Sequence, residues 1–136
     1  MPQDQPPVAI FLHDGSYDRV HQAFSIAAAA VATGRRVDVF LFWWALERIV
    51  QGRIDEPDFG PGREAAEARF EQRNMPTIRQ LLTHARESGL CRIYACTGSI
   101  GAVAATPAEV ERHVDQLVGW TTILKLTAGV TDRFYL

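Results

Sequence analysis

Three short apolar runs with no polar alternate face constrain this chain more than anything else in it: VAIFL (8–12), RVDVFLF (36–42) and LCRIYAC (90–96). A strand with one wet face alternates apolar and polar residues. A strand covered on both faces does not, and such strands belong to parallel sheets flanked by helices. Between the runs the period changes from strand to helix. Val20, Phe24, Ala27, Ala28 and Val31 recur at helical spacing after Ser16 or Asp18, either of which can cap the start, and Gly34 closes the segment. Strand, helix, strand in close succession is the pattern of right-handed βαβ winding. A chain of 136 residues, 47% hydrophobic, supports one such core, so a single domain over 1–136 is expected.

The remaining segments fit that frame. The second strand runs into WWALERIV (43–50), a short helix that Gly52 ends, and residues 52–62 carry turn chemistry throughout. Residues 63–73 form a charged helical stretch. Residues 77–88 make a clearer amphipathic helix through Ile78, Leu81, Leu82 and Ala85, ended by Gly89. Thr106, Pro107 and Glu109 spell a helix start with a capping box, and the helix they open is expected to turn Val110, Val114 and Leu117 inward. A brief strand fits 118–120, a helix 121–128 and a closing strand 130–136. Residues 1–7, with three prolines, read as a frayed tail. The expected architecture is a three-layer α/β/α sandwich around a mainly parallel sheet of about five strands.

Charge and targeting signals narrow the functional classes. The formal net charge is −2 and the arginines are interleaved with acids, which argues against nucleic acid or an anionic membrane as partner. No run approaches the length of a spanning helix, and the N-terminus lacks a basic signal-type region. With only two cysteines, a reducing cytoplasmic setting without a structural disulfide is expected.

In an open parallel sheet, ligands gather outside the carboxyl ends of the strands. The first strand brings His13, Asp14 and Ser16 there, the second Trp43 and Trp44, the third Cys96, Thr97, Gly98 and Ser99. Cys96 is the sharpest chemical candidate, because a thiol beside glycine-flanked backbone amides ionises more easily than free cysteine. The competing reading is a small buried hydrophobe. His13 is a candidate partner for a thiolate–imidazolium pair, against a rim histidine that only caps a turn. Cys91, at the other end of the same strand, is expected to pack. For Trp43 and Trp44 the expectation is one ring inward and one outward. The histidines are scattered, so no metal site is indicated, and His21, His84 and His113 read as exposed helical residues. No nucleotide-loop pattern is present, no cofactor is indicated, and an FMN carrier is disfavoured because the first loop lacks a hydroxyl-rich phosphate cradle.

From VAIFLHDGSYDRVHQAFSIAAAAVATGRRVDVFLFWWAL through LCRIYACTGSIGA to DRFYL, the chain resembles the DsrE/DsrF-like family of sulfur-relay proteins. The resemblance rests on three places in order: a first strand with a polar turn and alanine-rich helix, the TGRRVDVFLFWWAL run, and a third strand ending in cysteine and small residues. It implies a three-layer α/β/α domain, homo-oligomers, and a sulfane sulfur carried as a persulfide on Cys96 between donor and acceptor proteins. The alternative within the same fold is a non-catalytic module that assembles or binds a small ligand. The charged insert at 52–74 departs from the family pattern and is expected to cover the rim or serve a partner of its own.

Overall fold

The three apolar runs are three adjacent strands in a computed structural model that describes residues 5–136. The first is β1 (Val8–Leu12), followed by α1 (Tyr17–Ala32), β2 (Val37–Leu41) and α2 (Trp43–Val50). The insert supplies α3 (Glu64–Gln72), and α4 (Ile78–Glu87) leads into β3 (Cys91–Cys96). Two short helices, α5 (Thr97–Ile100) and α6 (Pro107–Glu111), precede β4 (Gln116–Val118), α7 (Trp120–Leu126) and β5 (Asp132–Tyr135). All four strand pairings are parallel, in the order β4-β3-β2-β1-β5. The α/β sandwich expected from the sequence is the fold observed.

Its layers are unequal for a topological reason. From β1 to β4 the chain steps across the sheet in one direction, and right-handed crossovers then keep every connecting helix on one face. On that face Val8, Ile10, Leu12, Val39, Leu41 and Ile93 meet the inward sides of α1, α2, α4 and α6 in the main core. The step from β4 to β5 runs back across the sheet. The same handedness sends α7 to the opposite face, where it is the only helix among the described residues.

That second face carries its own smaller core of Ala9, Phe11, Phe40, Phe42, Tyr94, Cys96, Val118 and Ile123. Phe11 stacks on Phe40 at 5.3 Å between ring centroids, and Phe40 on Tyr94 at 4.9 Å. Arg133 spans β5 to the end of α7: its guanidinium donates to the Thr127 carbonyl at 2.9 Å and lies over the Phe11 ring. Asp38 shares the face by strand alternation, and burial raises its carboxyl pKa above the ordinary value despite Arg36 and Arg92.

Local signals explain the element ends. Gly34, Gly52, Gly89 and Gly129 all take the positive φ that stops a helix. Thr77 and Thr106 are N-caps with complete capping boxes through Gln80 and Glu109. Three expectations need correction. Ser16 is the N-cap of α1, yet its side chain makes no capping bond. The helix opened by Pro107 stops at Glu111, so Val114 lies in the following turn and Leu117 in β4, although both still pack against the main core. His113 lies in that same turn and, like His21, is half-buried; only His84 is exposed on a helix. Of the expected tail, residues 1–4 lie outside the described residues, and Pro6 is tied down by its carbonyl, which accepts from Arg35 Nε at 2.7 Å.

Candidate functional site

The loop after β1 is fixed from three sides. The backbone N–H groups of His13 and Asp14 donate to the Leu136 carbonyl beyond β5, at 2.8 and 3.4 Å, and Ala45 N–H donates to the His13 carbonyl at 3.1 Å. Asp14 Oδ1 accepts from Ser16 N–H at 2.7 Å in an Asx turn, and the Ser16 hydroxyl together with that N–H draws the Asp14 carboxyl below its usual range. Gly15 permits the close packing against α2: a Cβ there would sit 2.5 Å from the Trp44 carbonyl oxygen. Buried Arg48 reaches from α2 to donate to the Gly15 and Arg53 carbonyls, at 2.5 and 2.9 Å.

α2 opens on a strained residue. Trp43 has φ +45°, a left-handed conformation that costs a bulky side chain about 1–3 kcal/mol and that concentrates at functional sites. The inward side of α2 begins at Ala45 and Leu46, both fully buried, which leaves Trp43 and Trp44 outside it. Both indoles are exposed, at 39% and 48%, correcting the expectation that one packs inward. The Trp43 ring lies 6.3 Å from the His13 ring and 5.7 Å from that of Trp44.

Above the second face lies an open cleft of about 390 Å³, lined by Phe11, Phe42, Trp43, Trp120 and Tyr135, with His13 and Leu136 at its edge; Trp44 does not line it. Four of these rings lie nearly parallel, already stacked on one another. Trp120 stacks on Phe42 at 5.2 Å and 18°, and Tyr135 on Phe11 at 4.8 Å and 10°. Trp120 and Tyr135 were absent from the sequence-level candidates. Only the return of β5 to the side of β1, and of α7 across the second face, brings them to His13 and Trp43.

Cys96 lies under the rim. Its residue is 4% exposed and packs among the aromatic rings of the second core. The register that pairs Leu12 with Leu41 and Leu41 with Ala95 places His13, Phe42 and Cys96 in one row, one residue further on. Two strand spacings, about 10 Å of backbone, and the Phe42 position therefore separate His13 from Cys96. The sequence-level pairing of these two residues finds no close geometry. What lies over the sulfur is thin: Thr97 and Gly98 are exposed, and a Cβ on Gly98 would sit 3.8 Å from Sγ. Ser99 is buried beneath that turn. Cys91, also free, is held neutral by burial, its thiol pushed up to about 12.

The insert does not cover the cleft. Phe59 and Phe70 pack on Tyr17 at the start of α1, and none of the cleft lining comes from the insert. Among the described residues no cluster of three metal-ligating side chains occurs, and no helix is long and apolar enough to cross a membrane. No family model matches the chain, and no curated protein is significantly similar to it.

Proposed function

We propose that this protein is a DsrE/DsrF-like binding module that forms homo-oligomers and uses the aromatic cleft at the carboxyl rim to hold a flat small ligand. The observation that carries this reading is Trp43, a strained tryptophan kept beside a cleft lined by a stack of near-parallel rings. The open face of such a stack suits a planar ring, and His13 adds one polar group at the edge. Cys96 serves here as packing for the second core, in keeping with its burial. The exposed Leu124 and Leu126 on α7, neither of which lines the cleft, suit assembly with further copies.

Tryptophan fluorescence tests this reading in the intact protein, with titration by planar heteroaromatic compounds, free flavin and nucleosides among them. A saturable change is expected in the wild type and in Cys96→Ser, and its loss in Trp120→Ala. If no compound perturbs the emission, the cleft is not a ligand site.

A second reading, sulfur carriage, is favoured by one specific feature: the thinness of the Gly98 turn over Sγ. In it Cys96 takes a sulfane sulfur from a donor persulfide, the attacking thiolate forming the new S–S bond while the donor thiolate leaves. A later attack by an acceptor thiolate removes that sulfur. The amides of 97–101 would steady the anion. Labelling of native Cys96 by iodoacetamide below pH 7, together with persulfide loading that Cys96→Ser abolishes and Cys91→Ser retains, would establish this reading over the first. Labelling only after denaturation rejects it.

A further inference from the structure

The insert builds a second cleft on the other side of the molecule. Between α1 and α3 lies a space of about 290 Å³ with an aromatic floor of Tyr17, His21, Phe59 and Phe70. Their ring centroids lie 5.6–6.1 Å apart in tilted, edge-on and stacked pairs. The polar atoms of this floor already have partners. The Tyr17 hydroxyl accepts from Ile78 N–H at 3.2 Å, and His21 Nε2 meets the Pro76 carbonyl at 2.8 Å. The open polar capacity lies at the lip. Arg69 on α3 and Arg73 at its C-cap both line the cleft, and neither makes an ion pair among the described residues. Asp18 is the one acid in the lining, so the lip carries a net positive charge.

We propose that this cleft binds an aromatic carboxylate: a one- or two-ring acid whose rings rest against the half-buried His21 and Phe59, backed by buried Tyr17 and Phe70, and whose carboxylate is taken by Arg69 and Arg73. The volume suits one or two fused rings and lies at the small end of ligand sites. Guanidinium groups match a carboxylate with paired hydrogen bonds, which an amide of the same shape cannot reproduce. Residues 59, 66, 69, 70, 73 and 75 come from the insert and its exit, and 17, 18, 21 and 22 from α1, so the insert's role is to complete this site. The site is independent of the aromatic cleft at the carboxyl rim.

Calorimetric titration of the full chain with 2-naphthoate, and with 2-naphthamide as its neutral isostere, tests the proposal. The acid is expected to bind at least tenfold more tightly than the amide at low salt. Arg69→Gln combined with Arg73→Gln should erase that preference, and Asp18→Asn should tighten the acid several-fold. All three side chains are exposed, so the fold tolerates the changes, and a matching melting temperature confirms it. Equal affinity for acid and amide, a preference that survives the double substitution, or no saturable heat with 2-naphthoate would each overturn the assignment.

Discussion

Two glycines at the rim, Gly15 and Gly98, face opposite situations, and their substitutions should behave oppositely. At Gly15 the space for a Cβ is filled by the Trp44 backbone, which cannot move without shifting α2. Gly15→Ala is therefore expected to destabilise by about 2 kcal/mol, measured by urea unfolding. At Gly98 a Cβ meets only Cys96 Sγ at ordinary contact distance. Gly98→Ala should leave the melting temperature unchanged and, on the sulfur-carriage reading, slow alkylation of Cys96 in the native state. An unchanged rate would mean that the reagent reaches the sulfur by another path. Trp43 offers a third case. Trp43→Gly removes the strain of φ +45°, so the protein should lose no stability by that change even as its cleft loses a wall.

At the scale of elements, the buried charges and the caps decide what the helices and strands can bear. Asp38 lies in a strand, and its burial raises its pKa, so the folded form holds its proton to higher pH than the unfolded chain. Stability from this group is greatest at low pH and falls as pH rises through the folded pKa. Asp38→Asn should accordingly raise the melting temperature at pH 8, with the gap closing toward pH 4. Thr106→Ala should cost about 1 kcal/mol by removing one half of the α6 capping box. That cap was legible in the sequence, as were the strands and the glycine stops, because each is a local device. The extent of α6 was not. Val110, Val114 and Leu117 recur at helical spacing and all reach the main core, but from a helix, a turn and a strand in succession. Periodicity records which residues face inward; it does not record how the backbone gets there. The same limit hid half of the rim cleft. His13 and Trp43 stand at strand ends the sequence reveals, whereas Trp120 and Tyr135 reach them only through the order of the sheet.

At the scale of the whole molecule, α7 is the one helix among the described residues that shields a sheet face rich in aromatic rings. Leu124 is 61% exposed and Leu126 39%, apolar surface along α7 outside the cleft that suits self-association. Leu124→Lys is expected to lower the mass seen by light scattering toward that of one chain; an unchanged mass places any self-contact elsewhere. The placement of β5 beside β1 has a further consequence for synthesis. Val8 pairs with Asp132 and Phe11 with Tyr135, so the neighbour on one edge of β1 lies 124 positions later in the sequence. Until β5 is made, that edge is unbonded and Phe11 lacks the Tyr135 ring that stacks on it. A nascent chain that holds β1 without β5 is thus most prone to mispairing, and slowing elongation ahead of β5 should aggravate aggregation more than slowing initiation.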